Sequence, residues 1–313
     1  MRIAVFGAGA VGGYFGGRLA QAGKDVVFIA RGHHLKAMQT RGLRVDSVEG
    51  NFVVNPVKAT DDPSEGGMVD AILVTVKAWQ VAEAAKAMRT MVGQDTFVVP
   101  LENGVEAPSE LAGVLGEEHV LGGLCRIISA LVGPGHIRHA GISPTVTFGE
   151  LDGRRSERAE RLLQAFEKAE GVAPSIPPDV RVAMWEKFLF IAALSGVGAV
   201  ARAPVGVLRS LPETRRMLEQ AMEEILSVAH GLSIALPQET VAETMAFIDG
   251  LPASGTASMQ RDVMAGRPSE LEAQNGAVVR LGREAGVATP LHSFIYQSLL
   301  PQEMRARGEL PFE

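Results

Sequence analysis

Up to about residue 149, short apolar runs rich in valine and isoleucine alternate with stretches in which apolar residues recur every three or four positions. Runs apolar throughout suit strands of a parallel sheet covered on both faces, and the recurrences suit the covering helices. The pattern predicts strands over 2–6, 26–30, 71–76, 96–100 and 119–124, with connecting helices over 11–22, 81–91 and 106–114. This is an α/β arrangement, a doubly wound sheet. From 122 to 150 glycine and proline become frequent and apolar residues alternate, as at 145–149, which predicts antiparallel strands added to the sheet edge. A helix over 157–169, N-capped by Ser156, then covers it.

The pair Pro177-Pro178 breaks this pattern, because proline disfavours helix in the residue before it and suits a helix's first turn. The domain boundary is placed just ahead of it, giving a first domain over 1–173 and a second over 174–313. In the second, strand signals nearly vanish and helical periods occupy 179–199, 212–230, 238–248, 257–265 and 269–285. Gly231 reads as the C′ glycine of one helix and Ser269-x-x-Glu272 as the capping box of the last. The C-terminal domain is therefore all-helical.

Composition narrows the functional classes. A net charge of −6 without a continuous Lys/Arg stripe argues against nucleic acid as a partner. The single cysteine, Cys125, excludes an intramolecular disulfide framework and a multi-cysteine metal site, and its apolar strand context makes it a packing residue. His136-x-x-His139 has no further ligand at a metal spacing, so no metal is expected. The apolar start runs into glycines without the features of a secretion signal, and no unbroken run of about 18 apolar residues follows. A soluble, cytoplasmic protein without a membrane partner is expected, and the amphipathic helices of the second domain are compatible with a homodimer.

Candidate chemistry begins at Gly7-Ala8-Gly9-Ala10-Val11-Gly12, which follows the first strand and opens the first helix. In such a unit Gly7 makes the tight turn, Gly9 lets the backbone approach a pyrophosphate, and Gly12 lets helix pack on strand. At the end of the second strand stands Arg31, where an acid would hold the ribose 2′-hydroxyl of NAD. A guanidinium suits the 2′-phosphate of NADP, so the expected cofactor is NADPH. His33 and His34 either border the same phosphate or are ordinary surface residues, the second being the better reading. Lys77 and Asn103 stand at the C-terminal ends of later strands, where open α/β sheets bind ligands; alone, each reads equally well as a surface or turn residue. Lys187 lies in an otherwise apolar helix and either snorkels to water or sits in a cleft where desolvation makes it a better proton donor. Ser258 and Glu270 stand twelve residues apart, Glu270 in a position that also suits the helix dipole.

Taken in order, the glycine motif, Arg31, Val76-Lys77, Glu102-Asn103-Gly104, Trp185-Glu186-Lys187, Ser258-Met259-x-x-Asp262-Val263 and Ser269-Glu270…Asn275-Gly276 resemble the ketopantoate reductase (2-dehydropantoate 2-reductase) family over essentially the whole chain. The resemblance implies a Rossmann domain, a helical C-terminal domain and an NADPH-bearing cleft. It also implies reduction of a 2-oxo acid to a 2-hydroxy acid, ketopantoate to pantoate in pantothenate biosynthesis. By position it makes Lys187 the catalytic lysine, Glu270 its partner carboxylate, Ser258 a ligand of the substrate carboxylate, Asn103 a residue near nicotinamide and substrate, and Lys77 a lysine at the cofactor. Where the family usually has asparagines after the lysine, this chain has Ile191, Ser195 and, past Pro204, Val205. Ile191 and Ser195 follow Lys187 at helical spacing, so an apolar wall is expected, favouring a more apolar 2-oxo acid or imine. A non-catalytic NADPH-binding or sensing module is the alternative of another class; the retained Lys187, Glu270 and Ser258 argue against it.

Overall fold

A computed structural model describes residues 1–310. Its strands are β1 (Arg2–Phe6), β2 (Asp25–Ile29), β3 (Leu43–Ser47), β4 (Phe52–Val54), β5 (Lys58–Thr60), β6 (Ala71–Val74), β7 (Phe97–Pro100), β8 (Gly122–Gly133), β9 (His136–Gly149) and β10 (Ala173–Ser175). The helices of the N-terminal region are α1 (Ala10–Gln21), α2 (Gly32–Arg41), α3 (Pro63–Gly66), α4 (Val81–Met88), α5 (Ala107–Leu115) and α6 (Glu157–Glu167). The C-terminal region holds α7 (Val180–Ala201), α8 (Val205–Ser210), α9 (Pro212–Gly231), α10 (Thr240–Gly250), α11 (Ser258–Met264), α12 (Ala277–Ala285) and α13 (Pro290–Ala306). Two compact units emerge: Met1–Glu102 with Ala107–Ala183, and Asn103–Glu106 with the chain from Met184 onward.

The first unit contains the doubly wound sheet, with parallel strands ordered β5-β2-β1-β6-β7. Along β1, Ile3 and Val5 enter one core with Tyr14, Phe15 and Leu19 of α1, while Ala4 and Phe6 enter another with Val81, Ala85 and Met88 of α4. Burial on both faces is why these strands are apolar throughout. The strand order reverses around β1, so the segments after β1, β2 and β6 meet at the edge where such sheets bind ligands.

The antiparallel strands depart from expectation. They do not extend this sheet; β8 and β9 pair in a second sheet ordered β10-β9-β3-β4. The expected strand at 119–124 reduces to one parallel bridge, Val98 to Val120, before β8 begins. Helix α1 lies between the sheets. A Cβ on Gly16 would fall 2.5 Å from Val5 of the first sheet, and one on Gly13 would fall 2.1 Å from Ile137 of the second, so only glycine admits both approaches. Ser156 caps α6 as expected, accepting from the Ala159 amide at 3.3 Å.

In the second unit α7 is long and apolar enough to cross a membrane, with mean hydropathy 1.4, yet 67% of that window is buried in the protein, as in a core helix. Gly231 is not the C′ residue: it is the last residue of α9, and Ser233 takes the left-handed conformation with φ 60°. Glycine suits 231 because a Cβ there would come within 2.8 Å of Ala285. The capping box at Ser269 does not form either. Glu303 of α13 accepts from the Ser269 amide at 3.0 Å and its hydroxyl at 2.6 Å, while Glu272 turns to the Tyr296 hydroxyl and Arg280. In place of one helix over 269–285, a π-helical turn, Glu272–Gly276, precedes α12.

Candidate active site

In the first unit the glycine motif turns β1 into α1. Gly7 has φ +101°, and a Cβ on it would lie 2.9 Å from the Val76 amide nitrogen. A Cβ on Gly12 would lie 2.3 Å from Thr75 Oγ1 and 2.8 Å from Val5, so glycine is what lets α1 rest on the strands. Gly9 is different: a Cβ there meets nothing within 4 Å. No packing of the protein demands glycine at that position, which fits a cradle that a ligand approaches closely. Gly9 is also the N-cap of α1 and makes no side-chain cap, so the first-turn amides are offered to an anion.

Arg31 stands at the N-cap of α2, exposed, with one ion-pair partner, Glu83, at 3.6 Å. Both side chains are more than 60% exposed (66% and 72%), so this pair is weak and readily exchanged for a phosphate. Lys77 follows β6 and is exposed, its Nζ 5.8 Å from the centre of the Trp79 ring. His33 is exposed, whereas both ring nitrogens of His34 are engaged by backbone, Nε2 with Ala8 O at 2.7 Å and Nδ1 with the Gly135 amide at 3.0 Å. His34 thus holds the glycine loop itself. The residues present fit a dinucleotide phosphate, and among the described residues no cluster suits a metal.

The second unit holds the other candidates. Lys187 is half-buried on a helix whose nearby Trp185 and Phe188 are buried, and Ile191, one turn on, is also half-buried. Ser195 is 0% exposed with no hydrogen-bond partner for its hydroxyl, and Val205 is 1% exposed with its amide bonded to Gly255 O. The expected apolar wall is corrected accordingly: only Ile191 is accessible. Spacing along α7 puts Ser195 on the same face as Lys187, but the face turns inward as neighbouring segments close over it.

Glu270 is 6% exposed and accepts from Asn103 Nδ2 at 2.9 Å and from Gln274 Nε2 at 3.3 Å. Asn103 belongs to the short Asn103–Glu106 segment of this unit, which Arg280 also holds through Glu106 at 2.7 Å. The structure therefore joins two predicted residues far apart in the chain. Gln274, which sequence reasoning missed, carries no motif signal; a π-turn, a feature often found at functional sites, places it on Glu270. Ahead of Glu270, Arg307, the C-cap of α13, donates to Ser269 O at 2.9 Å and pairs with Glu303, so the backbone before the carboxylate is held on both polar sides. Ser258 begins α11, half-buried, and Gln260 beside it donates to Ala203 O at 2.8 Å. Asn275 donates to Ala192 O of α7 at 3.2 Å and sits 3.0 Å from His292 Nδ1.

His292 carries a prediction of its own. It is wholly buried, its Nδ1 accepting from Asn275 and its Nε2 donating to Ala221 O, so the ring is neutral, and burial pushes its pKa down to about 4. An unfolded histidine titrates near its usual value of about 6.5, so the unfolded chain binds more protons between these pH values. The contribution is complete above about pH 6.5 and is lost as pH falls toward 4, by about 3 kcal/mol in total. Urea unfolding at pH 7 and pH 4.5 should show a larger acid loss for the wild type than for His292→Asn; equal losses would refute it.

A parallel sheet whose first turn opens to an anion, with a helical unit that holds a lysine and a fixed buried carboxylate, defines an oxidoreductase that uses a nicotinamide cofactor. Residues 3–153 match the family model of ketopantoate reductase PanE/ApbA, and residues 179–303 match that of its C-terminal domain. The chain belongs to the ketopantoate reductase family. It is 30% identical to an uncharacterized oxidoreductase, YkpB, of Bacillus subtilis over 96% of this chain and 98% of that one. It is 29% identical to a 2-dehydropantoate 2-reductase of Nostoc over 95% and 94% of the two chains. Among solved structures, a PanE/ApbA family ketopantoate reductase from Ralstonia eutropha is similar, with 30% identity, a TM-score of 0.89 and coverage of 98% and 100%.

Proposed function

We propose that this protein is a cytoplasmic enzyme that reduces ketopantoate to pantoate with NADPH, a step in making pantothenate. The observation that carries the reading is Glu270, a buried carboxylate fixed by Asn103 and Gln274 in the unit that also carries Lys187. The relative from Nostoc, named 2-dehydropantoate 2-reductase, supports the substrate, and the exposed Arg31 supports the phosphorylated cofactor.

NADPH held at the glycine cradle and Arg31 would be the hydride source for C2 of the oxo acid. As the carbonyl oxygen gains charge, the Lys187 ammonium stabilises it and delivers a proton to it. Glu270 accepts hydrogen bonds from Asn103 and Gln274, which leaves its carboxylate oriented to hold the lysine and the nascent hydroxyl. The Ser258 hydroxyl binds the substrate carboxylate, and Lys77 supports the cofactor.

The test is NADPH oxidation by the purified protein with ketopantoate, followed by Arg31→Ala. A charge-assisted bond contributes about 1.5–3 kcal/mol, so this variant should raise KM for NADPH about 10- to 100-fold and that for NADH far less. Equal changes would remove Arg31 from the phosphate site. Cofactor binding without turnover of any 2-oxo acid would refute the enzymatic reading.

A second reading, a more apolar 2-oxo acid, is favoured by Ile191, accessible one turn beyond Lys187 where the family pattern has asparagine. A kcat/KM higher on the analogue of ketopantoate that lacks the hydroxyl would select it, and the reverse would select ketopantoate.

A further inference from the structure

The glycine loop is held through both its amides and its carbonyls: the Gly7 and Ala8 amides donate to Ile29 O at 3.1 and 3.0 Å and the Gly9 amide to Gly7 O at 2.7 Å, which leaves the first-turn amides of α1 as the donors open to an anion. An anion at the N-terminus of α1 is attracted by first-turn N–H groups, and a carbonyl oxygen turned toward it would repel it. The peptides on either side of Ala8 are flanked by Gly7 and Gly9, residues whose missing Cβ makes rotation of a peptide plane sterically cheap. Both carbonyls are tied by side chains, and Gly7 O accepts from the Gly9 amide as well, at 2.7 Å. Thr75 Oγ1 donates to Gly7 O at 2.7 Å, and His34 Nε2 lies 2.7 Å from Ala8 O.

The tautomer of His34 follows from its partners. The Gly135 amide can only donate, so Nδ1 is the acceptor; Nε2 then carries the proton and donates to Ala8 O. Burial lowers the His34 pKa, which keeps the ring in this neutral form. Gly135 lies in the turn between β8 and β9, so His34 braces the loop of the first sheet against the second. Neither Thr75 nor His34 sits among the open positions of the cradle; they act on its backbone.

We propose that His34 and Thr75 are positioning residues of the cofactor site, locking the Gly7 and Ala8 carbonyls away from the pyrophosphate so that the first-turn amides of α1 meet it with no loop carbonyl turned against it. The proposal rests on the NADPH reading above. It goes beyond the glycine motif, which explains the room in the cradle but not the fixed direction of its dipoles.

The experiment is a fluorescence titration of the full-length protein with NADPH and with adenosine 2′-monophosphate, which carries the phosphate assigned to Arg31 and no pyrophosphate. The variants are His34→Phe, which keeps a ring and removes both bonds, and Thr75→Val, which keeps the shape and removes the donor. His34→Phe should weaken NADPH binding about 10-fold, the scale of one hydrogen bond lost with its partner left unsatisfied, and Thr75→Val by about 3-fold, because Gly7 O keeps the Gly9 amide; both should leave adenosine 2′-monophosphate unchanged. A general loss of structure would lower both affinities together. If His34→Phe does not fold, Thr75→Val, which leaves the histidine in place, decides the matter. A folded variant that binds NADPH as tightly as the wild type, or loses both ligands by the same factor, overturns the proposal. Failure of the cofactor reading is separate and shows in the wild type, as no binding of NADPH or as preference for NADH.

Discussion

Lys187→Ala is expected to lower kcat for 2-oxo acid reduction by about 10²-fold or more, with NADPH affinity nearly unchanged. The two halves of that expectation have separate structural grounds. The lysine sits on α7 in the second unit, while the glycine cradle, Arg31 and the loop-bracing contacts of Thr75 and His34 all lie in the first. Alanine is a good helix former, so α7 should persist, and the half-buried position limits the packing lost. The chemical step would lose both the cation that stabilises the developing alkoxide and the proton that neutralises it. Lys187→Arg sharpens the test: it restores the charge but not a proton that can be given up, so it should recover only part of the rate. Stopped-flow measurement of the hydride step checks both variants. Normal turnover in Lys187→Ala would show that the lysine only carries its charge to water and that another group supplies the proton.

Gly9→Val should abolish detectable cofactor binding while leaving the protein folded. A Cβ at Gly9 meets no atom within 4 Å, so a larger side chain has room in the protein and strains nothing already packed. That same room is what the pyrophosphate requires, and a branched side chain there would keep the phosphate beyond hydrogen-bond reach of the first-turn amides. The neighbouring Gly12→Val makes the contrast. Its side chain would be driven into Thr75 and Val5, at 2.3 Å and 2.8 Å for the Cβ alone, so that variant should lose the fold as well as the ligand. Circular dichroism with NADPH titration separates the outcomes. Unchanged NADPH binding by folded Gly9→Val would remove the loop from the cofactor site.

The pattern along the chain determined what depends on near neighbours. The strand, turn and helix from Arg2 to Gln21 were legible because burial on both faces, a positive-φ turn and a helix start all fall within consecutive residues. The long helices of the second unit were legible for the same reason, and the ordered motifs carried the family. Short strands such as β4 and β5, three residues each, gave no periodicity to detect, and they form only because longer strands offer them edges. Tertiary structure alone decided which polar groups meet. Asn103 and Glu270 are 167 positions apart and share a hydrogen bond; Ser269 takes its partner from Glu303 rather than from Glu272, three residues away. Helical spacing correctly put Ser195 on the face of Lys187, but a face says nothing of what covers it, and Ser195 and Val205 proved to be interior. His34 shows the same limit: in the sequence it read best as an ordinary surface residue, and its neighbours in space, Ala8 and Gly135, made it a brace, because a side chain's hydrogen-bond partners are set by where distant backbone comes to rest.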